Sequence, residues 1–280
     1  MPIFSAPDGT ALAFRLLGSL GDPVVCLPGG PMRAGAYLGD LGGLGDRRRL
    51  AVLDSRGTGD SEIPRDPSTY RCDRQVEDVE ALRKHLGLER FDLLGHSAGA
   101  SLATLYAARY PGRLRRLALV APSPRAVGLQ LPVAERRRIM ARRSGAPWFE
   151  AAAAAYEAIA ARTATSADWA AIAPMYYGRW DDAARRHQAT EPGQRNGAAA
   201  RVYNADGAFE PERTRAALRA VDAPVLVLAG ELDWIASPGV AGDFAGLFTD
   251  ARVVVLPGAA HYPWLDDAPA FVSAVAGFLA

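Results

Sequence analysis

At 280 residues, with 49% hydrophobic and 22% charged positions, the chain has the make-up of an ordinary globular protein and the length for one α/β core carrying an insertion. A formal net charge of +1 supplies no electrostatic footprint for nucleic acid or an anionic membrane. No apolar run approaches the roughly 18–20 residues of a bilayer span, and Met1-Pro2-Ile3-Phe4-Ser5 lacks the basic start and apolar core of a signal peptide, so a soluble cytoplasmic protein is expected.

In chain order, Asp8-Gly9 reads as a hairpin turn leading into a strand over 10–17. Val24 to Leu27 is a short apolar strand ending at Pro28-Gly29-Gly30-Pro31, and Leu50 to Leu53 is another, ending at Asp54-Ser55-Arg56-Gly57-Thr58-Gly59. Val76, Val79, Leu82 and Leu86 recur at helical spacing, and Gly87 stops that helix. A strand from Phe91 and a helix over 100–110 flank Gly95-His96-Ser97-Ala98-Gly99; a strand at 117–120 follows. Strands at 225–228 and 253–256 and a helix over 269–279 complete the pattern. Short apolar strands alternating with helices predict an α/β architecture, a mostly parallel central sheet with helices on both faces. The stretch 123–221 differs: it holds 15 Arg against 10 acidic residues, is rich in alanine and shows no strand, so it reads as an inserted helical cap between core segments 1–122 and 222–280. Cys26 and Cys72 have no metal-type spacing and read as buried or incidental thiols.

G-x-S-x-G between a strand and a helix marks a nucleophile elbow. The serine of so sharp a turn is strained, and strand and helix cross too closely for bulk two residues to either side of it. The hydroxyl of Ser97 needs a base, and the base needs a partner to set its tautomer. Of the four histidines, His96 points away from Ser97 by strand alternation, His85 lies on a helix and His187 in the cap. His261 follows the 253–256 strand by a short loop and therefore emerges at the same sheet edge as Ser97. Asp233 follows the 225–228 strand and is the expected acid; Glu231 competes with it, and Asp266 and Asp267 stand too near His261 in sequence. The order Ser97, Asp233, His261 is that of α/β-hydrolases. The expected oxyanion donors are the N–H groups of Ala98, at the positive end of a helix, and Gly30, since proline has none. Neither a metal nor an organic cofactor is required.

These motifs resemble the α/β-hydrolase superfamily, and within it the proline iminopeptidase-like group. That group's His-Gly-Gly-Pro-Gly oxyanion loop reads Pro28-Gly29-Gly30-Pro31-Met32 here, and its Asp-x-Arg-Gly-x-Gly-x-Ser turn is intact as Asp54 to Ser61, read as loop architecture rather than a phosphate cradle. The resemblance covers the core and is weak across the cap. Aminopeptidases of the group bind the substrate's amine through cap glutamates, one in a stretch like Ala-Arg-Ile-Glu-Asn. The similar stretch here, Ala200-Arg201-Val202-Tyr203-Asn204, has tyrosine in place of the acid, leaving Glu150, Glu157 and Glu191 as substitutes or solvated charges. The resemblance therefore implies a serine hydrolase forming an acyl-enzyme at Ser97 on a small ester, amide or lactone. Trp234, Trp264, Tyr203 and Trp180 are expected to line a broad aromatic pocket. Release of N-terminal proline stays open, as do carbon–carbon bond hydrolysis or acyl transfer in secondary metabolism and a ligand-binding receptor on a hydrolase scaffold. The expected partner is a small-molecule substrate, with a homo-oligomer left open.

Overall fold

The structure is a computed structural model that describes residues 1–280. Eight strands, β1 (Ile3–Ser5), β2 (Ala11–Leu17), β3 (Val24–Leu27), β4 (Leu50–Leu53), β5 (Phe91–His96), β6 (Leu114–Val120), β7 (Val225–Gly230) and β8 (Ala251–Leu256), form one sheet in the order β1-β2-β4-β3-β5-β6-β7-β8. The pairs β1/β2 and β2/β4 are antiparallel and the rest parallel. β3, β4, β5 and β7 are buried along their whole length, as continuous Val/Leu/Ala runs require when both faces are covered. The short β1 is an addition to the expected pattern. It pairs with β2 across Asp8-Gly9, where Gly9 has φ +86° and Asp8 Oδ1 accepts the Thr10 N–H at 3.0 Å.

Helices α1 (Val76–His85) and α2 (Ala98–Arg109) follow β4 and β5. Between β6 and β7 lie only helices: α3 (Val133–Ala141), α4 (Phe149–Ala160), α5 (Ser166–Ala171), α6 (Asp182–Ala189), α7 (Glu191–Gln194), α8 (Gly197–Tyr203) and α9 (Pro211–Leu218), with short 3-10 turns. α10 (Pro238–Ala245), α11 (Pro263–Asp266) and α12 (Ala268–Leu279) close the fold. No helix is long and apolar enough to cross a membrane.

Two apolar clusters of 38 and 25 buried residues cover the two faces of the sheet, whereas the helical block has a separate cluster of only 8, built on Ile139, Met140, Tyr156, Ile172 and Trp234. The block is not uniform. Ala199, Tyr203 and Leu218 of α8 and α9 belong to the larger sheet cluster, so its last two helices pack as core. The Asp54–Ser61 turn is internal architecture. The Asp54 carboxylate accepts the N–H groups of Gly35 (2.6 Å) and Asp60 (3.2 Å), Ser61 Oγ donates to Asp54 O (2.6 Å), and the buried Arg56 guanidinium bridges Asp78 and Asp8.

Candidate active site

Ser97 stands where β5 gives way to α2, with φ 54° and ψ −114°. An L-residue holds such a conformation only where its surroundings determine it. Here the Ser97 N–H donates to Val120 O (3.0 Å), and its carbonyl accepts from Ala100 N (3.0 Å) and Ser123 N (3.1 Å). The flanking glycines have the crowding a tight crossing demands: a side chain on Gly99 would collide with the carbonyls of Leu27 and Pro28, and one on Gly95 with Gly99 and Ala100.

His261 Nε2 lies 2.9 Å from Ser97 Oγ and His261 Nδ1 lies 2.8 Å from Asp233 Oδ2. A carboxylate only accepts, so Nδ1 carries the ring proton and Nε2 is free to accept from the serine hydroxyl. The second oxygen of Asp233 accepts from Ile235 N (2.8 Å) and Ala236 N (3.0 Å). Complete burial works to raise the Asp233 pKa, but the charge and hydrogen bond of His261 with those two N–H groups outweigh it, and the carboxyl titrates below its usual range. The competing acids are engaged elsewhere. Glu231 binds Arg142 (2.6 Å) and the Gly258 N–H (2.9 Å), Asp266 accepts from Gly178 N and Ala260 N (both 2.8 Å), and Asp267 caps α12. His85 packs against Phe4 and Phe14.

Of the two glycine donors after β3, only one is free. Gly29 N–H donates to Tyr37 Oη at 2.7 Å, while Gly30, at φ +115°, has an N–H with no acceptor in the protein. The Ala98 N–H opens α2 and is one of the donors a helix start leaves without an intrahelical partner. A hydrogen-bonded chain ties this loop to His261. His96 Nε2 is 2.8 Å from the His261 carbonyl, which can only accept, so Nε2 carries the proton. Its Nδ1 then accepts from Tyr37 Oη (2.7 Å), and Tyr37 in turn takes the Gly29 N–H. Burial, then the nearby His261, hold His96 well below its usual pKa and keep it neutral, as that pattern requires. No sequence spacing signals the Tyr37–His96 pair, because the two meet only through the fold.

The cleft above Ser97 encloses about 600 Å³. Ser97, Gly30, Ala98, His261, Arg33 and Arg125 line it from the core side and the loop after β6, and Trp169, Tyr176, Glu191 and Arg195 from the helical block. The four aromatics expected to form its wall do not line it, and packing accounts for each. Trp234 is buried in the block's own cluster between Tyr156 and Tyr176. Trp264 is buried edge-on against His96, below the cleft. Tyr203 turns inward, its hydroxyl donating to Ala98 O (2.8 Å) and accepting from Cys72 Sγ (3.1 Å), so it steadies the elbow from behind. Trp180 packs on Tyr177 and Arg185. Trp169 and Tyr176, two of the other aromatic side chains of the helical block, do line the cleft, and the wall positions missed from sequence are Tyr262, Ile235, Arg33 and Arg125. Both cysteines are buried and unpaired. No group of three His, Cys, Asp or Glu side chains is placed to hold a metal ion.

The block reaches His261 directly. His261 N–H donates to Tyr176 O (3.0 Å), and the buried Arg143 guanidinium donates to Met175 O, Tyr177 O and Leu232 O, each at 3.0 Å. Burial lowers the Arg143 pKa to about 10. Of the cap glutamates, Glu157 pairs with Arg137 (2.8 Å), Glu150 is exposed, and Glu191 alone lines the cleft, bonded to Arg195 (2.9 Å) and Gln188 Nε2 (2.8 Å).

Comparison with known proteins agrees with this fold. A family model described as alpha/beta hydrolase fold matches residues 22–268. Among curated proteins, a proline iminopeptidase of Lactobacillus helveticus (strain DPC 4571) is 39% identical over 102 residues, 35% of this chain and 35% of that protein, so the match spans about a third of the relative's length. Among solved structures, the proline iminopeptidase of Mycobacterium smegmatis superposes with a TM-score of 0.71 at 25% identity, over 99% of this chain and 97% of that one. An esterase from Exiguobacterium antarcticum gives 0.74 at 16% identity, over 99% and 98%, a likeness of fold.

Proposed function

The chain belongs to the alpha/beta hydrolase fold family, and from that premise we propose that it is a serine hydrolase acting on a small ester, amide or lactone, with Ser97, His261 and Asp233 as its catalytic triad. The reading is carried by one observation, the continuous relay from Ser97 Oγ to His261 to Asp233 at 2.9 and 2.8 Å. In the first step Ser97 Oγ attacks the carbonyl carbon while its proton passes to His261 Nε2. The negative charge that develops on the carbonyl oxygen is met by the N–H groups of Gly30 and Ala98. Asp233 stabilises the imidazolium, which then protonates the departing alcohol or amine. Water then attacks the acyl carbon as His261 takes its proton, and His261 returns that proton to Ser97 Oγ as the acyl group leaves as the free acid. The stretch 123–221 serves as the cap, with α5, α6 and α7 roofing the cleft.

Release of N-terminal proline is less well supported. An ammonium group needs an unpaired carboxylate, and the one acid lining the cleft, Glu191, is already held by Arg195. The test is pre-steady-state hydrolysis of a 4-nitrophenyl ester. The reading predicts an acyl adduct on Ser97 by mass spectrometry and loss of turnover in Ser97→Ala. Near-native turnover in that variant would overturn it.

A further inference from the structure

Resting on the serine-hydrolase reading, we propose that the substrate carries a carboxylate, which the cleft receives through Arg33 and Arg125. Four charged side chains line the space above Ser97: Arg33, Arg125, Arg195 and Glu191. Arg195 and Glu191 neutralise each other at 2.9 Å, and Gln188 takes the second carboxylate oxygen of Glu191. Two guanidinium groups are then left without an acid. Arg125 is exposed, and its side chain makes no hydrogen bond or ion pair within the protein. Asp233 does not balance them, because its carboxylate lies behind His261 with both oxygens in use.

Arg33 is the more informative of the two. It is only 1% exposed, yet no carboxylate lies within ion-pairing distance. Its partners are all uncharged: Gln194 Oε1 (2.9 Å), His187 O (3.1 Å), Thr190 Oγ1 (2.9 Å) and the face of Tyr37, 4.6 Å from the guanidinium carbon, while Nη1 has no partner. Arginine does not shed its charge on burial as lysine can, and an unpaired buried charge is costly to keep. Nε and Nη2 are taken by those partners, so Nη1 is the donor left for a carboxylate oxygen. The Arg33 backbone N–H bonds the Gly29 carbonyl (3.1 Å), so the residue springs from the loop after β3, and it lines the same cleft as Ser97. A substrate anion would give the site the counter-ion the protein withholds, and the same field would repel an ammonium ion.

The experiment compares three acyl groups of similar length on one leaving group: 4-nitrophenyl hydrogen adipate, 4-nitrophenyl heptanoate and 4-nitrophenyl 6-aminohexanoate. In parallel, adipate monoamide, heptanamide and 6-aminohexanamide, which carry one negative, no and one positive charge, are titrated calorimetrically into Ser97→Ala, which reads binding without turnover. The inference predicts kcat/KM for the adipate at least about tenfold above the neutral ester, and above the cationic ester by more, or the same order among the titrated amides. Arg125→Gln should narrow the anionic-to-neutral ratio, and added salt should narrow it further where Arg125 remains. Arg33→Gln should narrow the ratio, and Arg33→Lys should restore part of it, which a purely structural role for Arg33 would not do. A flat or reversed order in both assays overturns the inference while ester cleavage keeps the hydrolase reading intact. If no ester is cleaved, the hydrolase reading fails, and the titration still decides the charge preference.

Discussion

At the carboxyl end of the sheet, backbone crowding dictates nearly every residue around Ser97, whereas in the helical block above it many side chains would serve equally well. The elbow has glycines where a Cβ would strike a carbonyl and a serine held at φ 54° by three hydrogen bonds. The block is held by a cluster of 8 buried residues, against 38 and 25 on the sheet faces, and by arginines such as Arg143 that reach to carbonyls. Constraint of the first kind leaves a signature in the order of residues. The second kind leaves only a requirement for helix formers, which alanine and arginine meet.

The sharpest way to break this contrast is to change a group on the catalytic side without touching its backbone. His261→Ala should lower kcat by about three to six powers of ten, with a lower melting temperature as well, because the buried Asp233 carboxylate loses its partner. Turnover within tenfold of the native value would remove His261 as base. Next comes Gly99→Ala, which buries a methyl group against the Leu27 and Pro28 carbonyls. Chemical denaturation should report a loss of about 2–4 kcal/mol. A comparable small-residue change in the block, Ala154→Ser on the outer face of α4, should cost under about 0.5 kcal/mol. Equal losses at the two sites would erase the contrast.

Tyr37→Phe tests the chain that joins the oxyanion loop to the base. It strips Gly29 N–H of its acceptor and His96 Nδ1 of its donor, so kcat should fall about 10- to 100-fold with KM changed far less. A rise in KM with kcat unchanged would place Tyr37 in substrate binding instead. The smallest effect concerns pH. Burial, reinforced by the Arg33 charge, pushes His187 down to about 4, and His96 is also held low. Both are neutral in the folded chain but take a proton in the unfolded chain below about pH 6.5. The unfolded state therefore binds more protons between about pH 6.5 and 4, and stability declines as pH falls through that window. Thermal unfolding across it should show the decline, reduced in His187→Gln; an unchanged slope in the variant would deny His187 that role.

The same contrast explains what was legible from sequence. The strands on which Ser97, Asp233 and His261 stand are short, largely apolar runs, and the turns after them carry the motif, so the parallel sheet and the shared edge at which those three groups emerge were legible, whereas the strand order was not. Gly30 could be preferred over Gly29 only by choice, because the competitor for the Gly29 N–H, Tyr37 Oη, reaches it through a loop with no periodic pattern. The aromatic wall was not legible for a related reason. Large rings read alike whether they fill a small core, as Trp234 does, lie beneath the cleft, as Trp264 does, or hydrogen-bond to the back of the elbow, as Tyr203 does. Trp169, 53% exposed on the short α5, carries no sequence sign of facing the cleft.

Fluorophosphonate labelling followed by peptide mapping tests the convergence of the three side chains most directly. The account predicts one adduct, on Ser97, forming rapidly in the native protein and at least about a hundredfold more slowly in His261→Ala and Asp233→Asn. No label on Ser97, or labelling at an undiminished rate in both variants, would contradict it.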